Sequence, residues 1–387
     1  MVYFWIIIHT ISALKYQLYL DSHKFPTLLK SSEKLPLGNA YSSQYYIKLL
    51  HSPSNREFIL TIDTESSWTW LVSSSCDCHS SIRYEFQDQT CNSSLNTSIQ
   101  YTVGSISGSV CTDQFALKSY TIGLPFILAE TEQDLYWIVT DGFLGLGLDK
   151  SMNNSIIQVL YNEKMIHKRL YGLYLSKDES YMHSEITFGK EEPDDYSDSE
   201  EVVVNMTGKQ WKSTINFESF GSPMNSSVEV LFSPGFIGIF VPQAEWSFFE
   251  SEIFARMECE TFLVFLKCNG DEFLLPSLNF SYFKQNLTIF PQTFTYRSGD
   301  NLIVLIGTHN ETYWVLGQPL FKEYYSVFDV DKEAISLFKV AKKFGLSTYI
   351  YLIVCIFLVV VICVPLLVYW FISRKKQDLD LTQPLIN

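Results

Sequence analysis

Basic residues are scarce in this chain, 28 Lys and Arg against 42 Asp and Glu, which leaves a formal net charge of −14. That balance repels a phosphate backbone, and no basic cluster larger than Arg374-Lys375-Lys376 offsets it, so nucleic acid is not an expected partner. Charged residues of either sign make up only 18% of the chain while 47% of residues are hydrophobic, which argues against disorder and allows a large core. Glycine is sparse, 18 residues beside 29 Phe and 23 Tyr. Aromatic side chains fit the pleated, half-buried surface of a sheet, so an all-β fold class is expected. Helical patterning is confined to Asn154 to Glu163 and Trp246 to Met257, and no short-period repeat is present. A length of 387 residues corresponds to two or three folding units.

One stretch lacks charge altogether. The 24 residues Tyr349 to Ile372 contain no charged residue and no Gly, and exceed the roughly 20 needed to cross a bilayer, so a C-terminal transmembrane helix is expected. Tyr349 and Tyr351 would lie at one interface, Tyr369 and Trp370 at the other. Arg374, Lys375 and Lys376 follow directly, which assigns tail 373–387 to the cytoplasm and gives a single-pass, type I orientation. At the other end the apolar run Val2 to Ile8 is short and lacks a basic flank; residues 1–17 are nonetheless read as a cleaved signal peptide. Eight N-x-S/T sequons, at Asn92, Asn96, Asn153, Asn205, Asn225, Asn279, Asn286 and Asn310, all precede the span, as glycosylation in the secretory lumen or at the cell surface requires. Six of the eight cysteines also precede it: Cys76, Cys78, Cys91 and Cys111 in the first half, Cys259 and Cys268 in the second. An even number in each half suits disulfides, and oxidising surroundings favour that reading of Cys76-Asp77-Cys78-His79 over a metal site. No metal and no cofactor is expected.

Short apolar runs such as Tyr45 to Leu50, Phe58 to Asp63 and Trp68 to Ser73, separated by polar turn residues, read as strands. The acidic stretch 191–201 carries seven Asp/Glu and a Pro, and is expected to be a solvated linker between lobes 41–190 and 202–343, with 18–40 as a short propeptide-like segment ahead of them.

Four blocks then occur in a telling order. FILTIDTESSWTWLVSSSC, Phe58 to Cys76, resembles the first active-site segment of the pepsin-like aspartic proteases, with Asp63, Thr64, Ser66, Ser67 and Trp70 matching and Glu65 standing where that family has Gly. SIQYTVGSISGSV, Ser98 to Val110, is similar to the family's flap; Tyr101 and Gly104 match, but Thr102 and Val103 stand where the family has Gly and then Thr. DGFLGLG, Asp141 to Gly147, resembles the segment that closes the first lobe, and Trp314 to Leu337 resembles the closing element of the second. The resemblance implies a bilobal fold whose two lobes each bring one Asp to the floor of a cleft, where paired carboxylates share a proton. It implies aspartic endopeptidase activity on extended peptide, with Asp63 as the first acid and Tyr101, Gly104, Thr64 and Ser66 lining or bracing the binding cleft, in a monomer.

The second lobe departs from the pattern. Aligning Gly235 and Pro242 gives VLFSPGFIGIFVP, Val230 to Pro242, which puts Ser233 at the second aspartate's position and Pro234 at that of the bracing Thr. Serine does not titrate in the useful range and proline has no N–H. Glu229 lies four strand residues from Ser233, about 13 Å, and does not substitute; Glu65 is the one local candidate for an acid paired with Asp63. Three readings follow: a catalytically impaired homologue that binds extended peptide or protein in its cleft, an active acid endopeptidase using Glu65, and a surface glycoprotein with a collapsed cleft. The resemblance further implies a disulfide Cys259–Cys268 and one just after the first active-site segment. Strand positions two apart give poor disulfide geometry, so Cys76 and Cys78 are expected not to pair with each other. Cys76–Cys91 with Cys78–Cys111 is preferred to the crossed alternative.

Overall fold

Alternation along the chain becomes strand pairing. In Glu201–Asn205 the valines at 202 and 204 point inward and their neighbours outward, while Trp70–Val72 and Gly142–Gly145 are buried at every position, as central strands with both faces covered must be. The computed structural model describes residues 34–40, 44–76, 78, 91–117, 120–135, 138–149, 154–177, 183–197 and 200–341. Residues 1–17, expected to be a signal peptide, the apolar stretch 349–372, the tail 373–387 and Asn153 lie outside these. Among the described residues no helix is long and apolar enough to cross a membrane.

Three main sheets and a smaller one make a bilobal, mostly β molecule. An eight-stranded sheet builds the first lobe from Gly38–Ala40 to Tyr120–Gln133 and Gly142–Gly145; a seven-stranded and a four-stranded sheet build the second. Between them a six-stranded sheet draws on both halves of the chain, in the order Lys34–Pro36, Glu185–Phe188, Leu170–Tyr174, Tyr324–Asp329, Ala334–Lys339, Glu201–Asn205. The acidic stretch leads into the last of these, with a short turn of 3₁₀ helix at Pro193–Asp195. Among the described residues helices are few and short, Ile156–Asn162 and Trp246–Phe254 being the longest, each inside its expected segment.

Each lobe repeats one device. In the first, Arg56–Asp63 runs parallel to Gly142–Gly145, pairing Ile62 with Leu144 and Asp63 with Gly145, and Trp70–Val72 pairs with the other edge of that short strand. In the second, Ser222–Phe232 runs parallel to Trp314–Leu316, pairing Phe232 with Leu316, and Ile239–Pro242 takes the other edge. Two loops, at Asp63 and at Ser233, therefore leave equivalent strands towards each other. Both devices need glycine where the chains cross: a Cβ at Gly145 would lie 2.4 Å from the Trp68 carbonyl carbon, and one at Gly317 would lie 2.2 Å from the Gly238 oxygen.

The disulfides are Cys76–Cys78, Cys91–Cys111 and Cys259–Cys268. The second-lobe bridge is the expected one and joins directly opposed residues of a hairpin. The first-lobe pairing corrects both the preferred and the crossed expectation. Strand Trp70–Val72 ends before the cysteines, and Cys76 N–H bonds back to Ser73 O at 3.1 Å, so the two do not occupy strand positions; their Cα atoms are 5.1 Å apart, within disulfide range. Cys91 and Cys111 are register partners in the long hairpin, and so pair with each other.

Candidate active site

Asp63 ends its strand on the floor between the lobes and is 4% exposed. The loop turns back on its carboxylate: Glu65 N–H donates to Oδ1 at 2.8 Å and Ser66 N–H to Oδ2 at 3.3 Å. The closing segment locks the loop from below, Leu146 N–H to Asp63 O at 2.6 Å and Gly147 N–H to Ser66 O at 2.8 Å. Thr64 sends its hydroxyl across the lobes to Phe232 O at 3.1 Å. One further bond ties the lobes, Trp211 Nε1 to Leu146 O at 3.0 Å; the same oxygen accepts from Tyr171 Oη, within the first lobe, at 3.0 Å.

On the facing loop, Ser233 is buried and its N–H bonds Leu316 O at 3.1 Å. Ser233 thus follows Phe232 as Asp63 follows Ile62. The Gly235 position approaches the first lobe, a Cβ there lying 3.5 Å from Ile62 O. Pro234, the counterpart of Thr64, has neither hydroxyl nor N–H, so the cross-lobe brace runs in one direction only.

Above the floor, Cys91–Gln100 and Ser105–Leu117 form a hairpin whose four-residue tip is closed by Tyr101 N–H to Gly104 O at 3.0 Å. Gly104 sits at φ +86°, where a side chain is strained, and a Cβ there would lie 2.5 Å from Gln133 O. Tyr101 is buried, and its hydroxyl accepts from Trp70 Nε1 at 2.8 Å. The residues expected at the site from sequence, Asp63, Thr64, Ser66, Tyr101 and Gly104, thus lie together, with Ser233 on the facing loop.

Glu65 turns to the flap instead of towards Ser233. Its Oε2 accepts from Thr102 N–H at 2.9 Å and from Thr102 Oγ1 at 2.6 Å. Thr102 Oγ1 in turn lies 2.9 Å from the Tyr313 hydroxyl, on the second lobe, and Lys212 Nζ sits 3.3 Å from the centre of the Tyr313 ring. Sequence reasoning did not single out Tyr313 or Lys212. The one signal was the position of Tyr313 directly before the Trp314 block; that its hydroxyl reaches residue 102 depends on the tertiary fold.

Burial pushes the Asp63 carboxyl well above the usual carboxylate range, and the neighbouring charge of Glu65 pushes the same way. Burial raises Glu65 too, against the two Thr102 bonds that favour its ionised form. The Tyr101 hydroxyl is raised by burial and then by the charge of Asp63, and burial lowers Lys212. Among the described residues no group of His, Cys, Asp and Glu is arranged to hold a metal ion.

Comparison with known proteins agrees with this frame. The family profile described as eukaryotic aspartyl protease matches residues 44–340. Vacuolar protease A of Neurospora crassa is 24% identical over 329 residues, covering 80% of this chain and 82% of that protein. Chymosin of Camelus dromedarius is 24% identical over 341 residues, 84% of this chain and 88% of that protein. A protein named probable aspartic-type endopeptidase CTSD of Arthroderma benhamiae is 22% identical over 358 residues, 84% of this chain and 67% of that protein.

Proposed function

The chain belongs to the eukaryotic aspartyl protease family, and from that premise we propose that it is a membrane-anchored, catalytically impaired pepsin-like homologue that binds an extended peptide or protein in its cleft. The observation that carries this is Ser233 at the place in the second lobe that Asp63 holds in the first. Hydrolysis by paired acids needs one ionised carboxylate to take a proton from water and one protonated to polarise the scissile carbonyl. A serine hydroxyl supplies neither role, and loss of one member of a jointly acting pair is expected to lower turnover by at least about 10⁴. Binding is supported by what is kept: the Asp63 loop, the Thr64 brace, the Tyr101–Trp70 contact and a formed flap.

Anchoring by 349–372 is supported by the absence of charge there, and a lumenal or extracellular location by three disulfides and by sequons on the outer surface. Asn96, Asn205, Asn225, Asn286 and Asn310 are exposed. The protein is proposed to act as a monomer.

A second reading, an acid endopeptidase with Glu65 as the second acid, draws on the closeness of the two carboxyls, with Glu65 N–H on Asp63 Oδ1 at 2.8 Å and the charge of Glu65 raising Asp63. Against it, both Thr102 donors hold the Glu65 carboxylate at the flap. The test is to incubate full-length protein in detergent micelles with unfolded protein from pH 3 to 7. We expect no pepstatin-sensitive cleavage and saturable binding of pepstatin A, a peptide analogue. Pepstatin-sensitive cleavage abolished by Asp63→Ala would overturn the proposal; its loss in Glu65→Gln would then favour the second reading.

A further inference from the structure

We propose that Glu65, Thr102 and Tyr313 form a polar bolt that holds the flap shut across both lobes, so that the cleft admits a ligand only when the bolt is drawn. What enters rests on the peptide-binding reading above; the existence of the bolt does not. Thr102 has one hydroxyl proton, and its 2.6 Å bond to the carboxylate uses it. The 2.9 Å contact with Tyr313 is therefore donated by the tyrosine. The result is a directed chain, Tyr313 Oη to Thr102 Oγ1 to Glu65 Oε2, with Thr102 N–H as a second donor to the same oxygen. Bonds in such a series polarise one another, and those to a charged group are the stronger kind.

Each member is held in place. Glu65 is fixed by its own N–H on Asp63, Thr102 by the Gly104 turn, and Tyr313 between the Lys212 ammonium at 3.3 Å and the His309 ring at 5.7 Å. The first lobe, the flap and the second lobe each contribute one residue, so the chain spans the mouth of the cleft. Glu65 and Thr102 also stand at two positions where the resembling sequences have glycine. Glycine at either would remove the carboxylate or the hydroxyl, so the two departures are complementary parts of one contact. Burial raises the carboxyl of Glu65, which fits a group enclosed by the closed flap.

Amide hydrogen exchange of the full-length protein in micelles tests this. Thr102–Gly104 amides should exchange on the order of tenfold or more faster in Glu65→Ala than in wild type, with Tyr313→Phe in between. Thr102→Val combined with Tyr313→Phe should exchange no faster than Thr102→Val alone, because both remove the same bond. Unchanged protection of the Ile127–Ala129 strand reports that a variant is folded; if Glu65→Ala fails that check, Tyr313→Phe decides. Equal flap exchange in wild type and every folded variant would overturn the bolt. Pepstatin A association should quicken in step with flap opening. Faster exchange with no pepstatin binding by any variant would leave the bolt standing and remove the peptide-binding reading instead.

Discussion

At Asp63 and Glu65, burial works against the charge that the surrounding N–H groups favour, and burial is the larger effect. The sign of the linkage follows. Folding raises both groups above their ordinary values of 3.8 and 4.5, so the stability they contribute is fully present below those values and lost as pH rises through the raised ones. The melting temperature of wild type relative to Asp63→Asn should therefore fall from pH 4 to pH 8; a pH-independent difference would contradict the assignment. Tyr101 gives a second expectation. Its hydroxyl accepts from Trp70 Nε1, so Tyr101→Phe leaves a buried indole N–H without that acceptor and should cost about 1–3 kcal/mol in denaturant unfolding. Asp63, Thr64 and Tyr101 were legible in the sequence because each sits in a motif with fixed spacing. Tyr313 was not, because its partner lies 211 positions away and only the fold of both lobes brings them together.

The flap hairpin shows the same division among elements. Its strands and tip could be read from the block Ser98 to Val110, and Gly104 at φ +86° explains why a glycine closes the turn. The cysteine pairing could not be read, because it depends on where neighbouring strands end. With strand Trp70–Val72 stopping short, Cys76 and Cys78 lie beyond the strand; with Cys91 opposite Cys111, the hairpin closes on itself. Non-reducing peptide mapping should recover Cys76–Cys78, Cys91–Cys111 and Cys259–Cys268, and a bridge from Cys76 to Cys91 would contradict the fold of this region. Replacing Cys91 and Cys111 by Ser opens a loop with sequence separation 20 and should lower stability by about 3 kcal/mol, read from the denaturant midpoint.

Across the whole molecule, the two lobes repeat one strand arrangement but not its chemistry. Asp63 with Thr64 in one loop faces Ser233 with Pro234 in the other, while the shared six-stranded sheet and the bonds of Trp211 to Leu146 and Thr64 to Phe232 still hold the lobes together. Under the function proposed above, the interlobe frame holds independently of the acid pair. Surface modification belongs to this scale too: exposed Asn96, Asn205, Asn225, Asn286 and Asn310 should carry glycans, whereas half-buried Asn279, whose Nδ2 donates to Ser219 Oγ at 3.2 Å, should not. Glycopeptide mass spectrometry checks this site by site. The central claim is that the floor of the cleft has lost its second acid, and the most direct measurement is the rate of pepstatin-sensitive cleavage of unfolded protein at acid pH, in wild type and in the Ser233→Asp/Pro234→Thr variant. The account predicts no detectable cleavage by wild type and measurable cleavage by the variant; wild-type cleavage equal to that of the variant, and lost in Asp63→Ala, would contradict it.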